Sequence, residues 1–256
     1  MYISVYLPSE MPEDPQPLRP ATIVGAAADP PTQPRAIYDR AGTPRMPPEV
    51  ALLRDGGEPV WIFAYGSLMW DPDIACAEAR PALLHGYHRS FCLYSYDYRG
   101  TRERPGLVLG LDRGGACWGL ALRLDDGALP AALDRVWQRE MSGGGVYEMR
   151  RLTVRTVGLQ PTDPGSSRRK PGPGQALIRG GAALSAHAFV MRRDHPDYAG
   201  PLSLDDKARL ILGAAGRRGA CREYFATTLG HLERLGLVDR PLRRLAERIA
   251  ALEKGR

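Results

Sequence analysis

Trp61-Ile62-Phe63-Ala64-Tyr65-Gly66-Ser67-Leu68-Met69-Trp70 decides how this 256-residue chain is read. Four apolar or aromatic residues suited to a buried β-strand lead to Tyr65 and then to an abrupt break at Gly66 and Ser67. A strand that ends this way presents backbone N–H groups beside two hydroxyls, a grouping that can receive an anion such as a carboxylate. The same ten residues suit a core strand followed by an ordinary turn. The flanking sequence has to choose.

Downstream, Pro81 to Ser95 reads as two short strands broken near Gly86. Gly106–Leu111 and Ala116–Leu124 read as two more, joined by a turn at Arg113-Gly114-Gly115. The intervening segment, Tyr96 to Pro105, carries Arg99, Arg102 and Arg104 and suits the rim of a site. Asp125-Asp126-Gly127 and Pro130 signal a helix start, and the helix runs to about Met141 before Gly143-Gly144-Gly145. Strands are expected over Met149–Gln160 and Ala183–Met191, separated by an exposed basic loop at 161–175. Helices follow over Ser203–Ala214, Ala220–Leu235 and Pro241 to about Lys254. Strands followed by helices predict an α+β domain with a mixed, barrel-like sheet flanked by helices. Upstream, residues 1–58 form a Pro/Ala-rich extension that cannot bury enough apolar surface to offset its ordering entropy. Within it Met46–Arg54 suits a short helix. The compact domain is therefore placed at 59–256.

The helix over 129–141 carries an acid on its apolar side. At about 100° per residue, Leu129, Leu133, Val136 and Trp137 share a face, and Glu140 falls in the same sector. An inward carboxyl at a helix C-terminus is pushed toward neutrality by desolvation and by the helix dipole. Proton transfer at physiological pH needs such a group. A Glu paired with an arginine at a frayed helix end fits the same pattern, so both readings stand on spacing alone.

Composition narrows the classes. The charge of +6 comes from 35 Lys+Arg against 29 Asp+Glu, and the arginines are spread over a loop and the C-terminal helices. They are read as lacking interleaved aromatic platforms, so a solvated surface is expected and nucleic-acid binding is not. Cys76, Cys92, Cys117 and Cys221 form no CxxC pair, and the five histidines form no HExxH pattern. No metal and no cofactor are expected, and the thiols are read as free and mostly buried. No run approaches the ~20 apolar residues of a membrane span. Met1–Pro8 lacks the basic and apolar regions of a secretory leader, which predicts a cytoplasmic protein.

Four blocks together resemble the ChaC-like γ-glutamylcyclotransferases. Trp61–Trp70 is similar to that family's strand-and-turn signature, and Arg139-Glu140 with the glycines and Tyr147 is similar to its Arg-Glu-x-Gly-Gly-Tyr region. Asp194-His-Pro-Asp-Tyr-Ala-Gly-Pro-Leu-Ser-Leu and Ala214-Ala-Gly-Arg-Arg-Gly-Ala-Cys-Arg-Glu-Tyr are similar to its two later segments, in family order. Two departures stand out: Ala64 where the family has Gly, and a longer spacing from Glu140 to Tyr147.

The resemblance implies a γ-glutamylcyclotransferase-like fold and cleavage of glutathione to 5-oxoproline and Cys-Gly, without metal or cofactor. It implies Glu140 as catalytic base and acid. It implies Ile62, Phe63, Ala64, Tyr65, Gly66, Ser67, Leu68 and Tyr147 as substrate-binding residues. The partner is then a small molecule, with monomer and dimer both open. Rival readings are another γ-glutamyl substrate, a non-catalytic binding module, an arginine-driven RNA binder, and Ser67 as a hydrolase nucleophile. The last lacks a Gly-x-Ser-x-Gly elbow.

Overall fold

The structure is a computed structural model that describes residues 45–55, 57–70, 73–142, 144–156 and 181–255. Most of the proline-rich extension, the expected loop at 161–175 and the expected strand end at 157–160 lie outside the described residues. The short helix expected near Met46 is present as α1 (Pro48–Ala51), continued by a 3-10 turn at Leu52–Arg54.

Five strands close into a barrel: β1 (Trp61–Ala64), β2 (Cys76–Ser95), β3 (Gly106–Leu124), β4 (Tyr147–Thr156) and β5 (Ala183–Met191). Their order is β1-β3-β2-β4-β5, and β5 returns to β1 in parallel with Ile62 opposite His187. All other neighbours are antiparallel. Among the described residues the ring closes through three β2–β4 pairs, Ala82–Leu84 against Val154–Thr156, and through the β5–β1 pair. This is the expected mixed, barrel-like α+β architecture.

One expectation is corrected. The breaks at Gly86 and at Arg113-Gly114-Gly115 do not end strands, because β2 and β3 run through them as one long antiparallel ribbon. The register shifts between His85 and Tyr87, and Gly86, Gly114 and Gly115 take φ of 84°, 102° and 70° there. Glycine allows the positive φ that a bulge demands. The residues that looked like turn punctuation instead kink a continuous ribbon.

The helices begin where the sequence signals them. Asp125 accepts the Gly127 N–H at 2.8 Å ahead of α2 (Leu129–Met141). Ser203 caps α3 (Leu204–Gly213) and Asp239 caps α5 (Arg240–Lys254). A two-residue hairpin, β6 (Ala215–Gly216) and β7 (Gly219–Ala220), leads into α4 (Cys221–Arg234). α2 buries Leu133, Val136 and Trp137, and the Trp137 ring lies 6.4 Å from that of Phe189 on β5. Burying a side chain such as Leu133 contributes about 2 kcal/mol. Phe63, Phe91, Phe189, Ile211 and Leu232 extend the same core from the barrel into the helices.

Cys92, Cys117 and Cys221 are buried and free, as expected. Burial pushes the Cys117 and Cys221 thiols up to about 11 and Cys92 up to about 12, so none is an activated nucleophile near neutral pH. Folding also brings arginines to an aromatic ring that sequence spacing had kept apart. Arg217 and Arg218 lie 4.2 and 4.9 Å from the Tyr98 ring, and Arg217 also pairs with Asp97 at 2.5 Å.

Candidate functional site

A cleft of about 100 Å³ opens where β1 ends. That is room for several waters, or for the head of a small polar ligand. Tyr65, Gly66, Ser67 and Leu68 form one wall. Val108 and Leu109 from β3, Glu140 from α2, Tyr147 from β4 and Tyr224 from α4 complete it.

The wall at 65–68 is made by the way β1 stops. Ala64 is the last residue paired to β3, opposite Leu120. The chain then turns into a 3-10 turn at Ser67–Met69, closed by Met69 N–H to the Gly66 carbonyl at 2.9 Å and Trp70 N–H to the Ser67 carbonyl at 3.2 Å. The first N–H groups of a helical turn have no acceptor within it. Among the described residues, those of Gly66, Ser67 and Leu68 have no protein acceptor. A run of such donors beside a cleft favours an anion. The wall is tight: a Cβ on Gly66 would come 3.3 Å from Leu109 Cδ2.

Glu140 faces this wall from the last turn of α2, with 15% of its side chain exposed. Burial pushes its carboxyl up to about 7, and the Arg139 guanidinium, with Nε 3.6 Å from Oε1, pulls weakly the other way. The carboxyl is therefore poised to gain or lose a proton near neutrality. Three phenols surround it. Burial, the largest cause, drives Tyr65 and Tyr147 well above the ordinary tyrosine value and Tyr224 to about 12, and the nearby Glu140 adds to each. All three stay neutral when Glu140 titrates. Tyr147 spends its proton on the Leu109 carbonyl at 2.8 Å.

Tyr65, Gly66, Ser67 and Leu68 are thus gathered with Glu140 and Tyr147, more than seventy positions away, around one cavity. The extra residues between Glu140 and Tyr147 do not carry Tyr147 away from it. Ile62, Phe63 and Ala64 are placed differently: they are fully buried in the barrel wall and do not line the cleft. Their backbone groups belong to the ladder with β3, so they brace the wall from behind. Ala64 has no exposed surface and does not narrow the cleft. Tyr224, Val108 and Leu109 were not singled out from the sequence. Tyr224 ends the Ala214–Tyr224 block, so a signal for it was present.

The block around Asp194–Leu204 lies elsewhere and ties β2 to β3. Tyr94 donates to the Asp197 carbonyl at 2.9 Å and Ala199 donates to the Cys92 carbonyl at 2.8 Å. The Tyr198 hydroxyl donates to Asp112 at 2.8 Å, and Arg193 Nε donates to the same carboxylate at 2.7 Å.

The model of the ChaC-like protein family matches residues 60–252, a span that holds all four blocks and every residue of the cleft. The chain belongs to the ChaC-like family. Among ChaC-like relatives, the glutathione-specific γ-glutamylcyclotransferase of Escherichia coli K12 is 33% identical over 181 residues, covering 71% of this chain and 68% of that one. Human glutathione-specific γ-glutamylcyclotransferase 1 is 32% identical over 182 residues, covering 70% of this chain and 72% of that one. The ChaC-like barrel also resembles the crystal structure of a yeast γ-glutamyl cyclotransferase specific to glutathione. The TM-score is 0.61 at 19% identity, covering 76% of this chain and 99% of that one, a likeness of fold.

Proposed function

We propose that this chain is a glutathione-specific γ-glutamylcyclotransferase, which converts glutathione to 5-oxoproline and cysteinylglycine with Glu140 as base and acid. The relatives' activity and the cleft chemistry agree. The observation that carries the reading is the Glu140 carboxyl, raised to about 7 and lining the same cleft as N–H groups that have no protein acceptor among the described residues.

In this reading the N–H groups of Gly66, Ser67 and Leu68 hold the α-carboxylate of the γ-glutamyl unit. The substrate folds so that its own α-amine reaches its γ-carbonyl. Glu140 takes a proton from that amine as the nitrogen–carbon bond forms. It returns the proton to the departing cysteinyl amine as the amide bond breaks, so no water is consumed and no proton is left over. Holding amine and carbonyl together supplies much of the rate, since intramolecular attack is worth up to about 7–11 kcal/mol of barrier. The Tyr147 proton is on the Leu109 carbonyl, so in this reading one of the loop N–H groups, left over from the carboxylate, steadies the developing oxyanion. Among the described residues no histidine lines the cleft, which disfavours Ser67 as a hydrolase nucleophile.

Residues 59–256 are taken as the catalytic domain and 1–58 as an extension to it. The chain is placed in the cytoplasm, with a small-molecule substrate and no membrane or nucleic-acid partner. Among the described residues, no helix is long and apolar enough to cross a membrane.

A substrate panel tests the proposal: reduced glutathione, oxidised glutathione, γ-Glu-Ala and γ-glutamyl-lysine, each assayed for 5-oxoproline. Release from reduced glutathione far above the others is expected. Turnover of γ-glutamyl-lysine alone would keep the reaction and overturn the substrate.

A further inference from the structure

Arg89 is a buried cation that the reaction just described does not use. It sits on β2 with 2% of its surface exposed, and all three guanidinium nitrogens are engaged. Nε donates to the Tyr65 carbonyl at 2.5 Å and Nη2 to the Trp118 carbonyl at 2.6 Å. Nη1 donates to Asp239 Oδ2 at 2.7 Å. The other oxygen of Asp239 accepts the Leu242 N–H at 3.0 Å and so caps α5. One guanidinium thereby joins the end of β1, the middle of β3 and the start of the C-terminal helix. Nearby, a Cβ on Gly119 would run into the Ala64 carbonyl, so β1 and β3 are already held as close as backbones allow.

The contact with Tyr65 has a geometric consequence. A trans peptide points its carbonyl and its N–H in opposite directions. Fixing the Tyr65 carbonyl on Arg89 therefore turns the N–H of Gly66, which belongs to the same peptide, away from Arg89. Gly66 lines the cleft and Arg89 does not, so this N–H is directed to the cleft side. A fork of fixed donors can set a peptide plane, whereas a lysine ammonium gives a point charge without that direction.

We propose that Arg89, held in place by Asp239, is a positioning residue that sets the Tyr65–Gly66 peptide plane and so aims the Gly66 N–H at the substrate α-carboxylate. This rests on the reading of the 66–68 loop as the carboxylate cradle. Asp239 completes the arrangement from the far end of the chain, which makes the start of α5 a working part of the site.

Arg89→Lys keeps the charge and loses the fork. Asp239→Asn loses the charge and keeps an equally good helix cap. For each variant and the wild type, the full chain is assayed for 5-oxoproline release across glutathione concentration and pH, alongside thermal melting. Inhibition by γ-aminobutyryl-cysteinylglycine, a ligand without the α-carboxylate, is measured in parallel. Both variants are expected to raise KM for glutathione about tenfold, the equilibrium cost of one mis-aimed charge-assisted hydrogen bond. The pH midpoint of activity is expected to stay where Glu140 sets it, and the carboxylate-free ligand to inhibit variants and wild type alike. Unchanged KM with activity falling only in step with the folded fraction, or failure of both variants to fold, assigns Arg89 a structural role alone and overturns the proposal. If the wild type binds the carboxylate-free ligand as tightly as glutathione, the cradle reading itself fails, a different result from either.

Discussion

Two sheltered carboxylates, Asp112 on β3 and Glu140 on α2, have opposite surroundings. Asp112, 7% exposed, accepts from Arg193, from the Tyr198 hydroxyl and from the Arg113 N–H at 2.8 Å. Burial pushes its carboxyl up, but these donors outweigh burial and hold it below the ordinary aspartate value. Glu140 keeps 15% of its side chain exposed, yet the Arg139 guanidinium stands 3.6 Å off and desolvation wins. Burial alone does not mark a functional acid. What separates the two is whether the surrounding chain supplies donors, and around Glu140 it supplies neutral phenols and leaves a cleft. The Asp112 cluster fastens β3 to the 193–198 segment, whereas Glu140 borders an open cleft.

The sharpest way to break this contrast is to remove each charge while keeping its shape. Glu140→Gln is expected to cut 5-oxoproline release by about 10²–10⁴-fold, the usual contribution of a positioned proton carrier, with circular dichroism unchanged. Asp112→Asn is expected to leave kcat and KM of the folded enzyme near wild type and to cost about 2 kcal/mol of stability by denaturant titration, the scale of hydrogen bonds to a charged group. Loss of catalysis on changing Asp112, or of stability alone on changing Glu140, would invert the assignment.

Stability against pH separates the two more finely. The Glu140 value is raised from 4.5 to about 7 in the fold, so native protein binds more protons than unfolded protein between those values. Its contribution is fully present below the unfolded value and is lost as pH rises through about 7. Glu140→Gln, which mimics the protonated form, is expected to be more stable than wild type at pH 8 by up to about 3 kcal/mol, and equal to it near pH 4. For Asp112 the sign reverses. Its lowered value contributes stability above the unfolded aspartate range, and that contribution is lost as pH falls. The deficit of Asp112→Asn should therefore shrink in acid.

Much of the site was legible because it rests on local rules. The helical period placed Glu140 with Leu133 and Trp137, and α2 carries it inward at its last turn. Proline, serine and aspartate signals put α2 and α3 within a residue or two of their observed starts. The stop at Gly66-Ser67 was visible in the residues themselves. What remained hidden depends on distant partners. β2 and β3 look broken at their glycines until each is laid against the other, when pairing along the ribbon turns two apparent turns into one bulge. Parallel closure of β5 on β1 at Ile62 and His187 leaves no local mark. Arg89 reads as one more basic residue, because its partner Asp239 lies 150 positions away. Ile62, Phe63 and Ala64 share the signature with the loop, yet ladder pairing and burial reserve them for the wall behind it.

The most direct test of Glu140 as the proton carrier is kcat/KM for 5-oxoproline release from glutathione measured from pH 5 to 9, which reports the free enzyme's essential groups. The account predicts a rise through a midpoint near the value of about 7 set by burial of Glu140. A profile flat across that range, or the same profile and rate in Glu140→Gln, would contradict it.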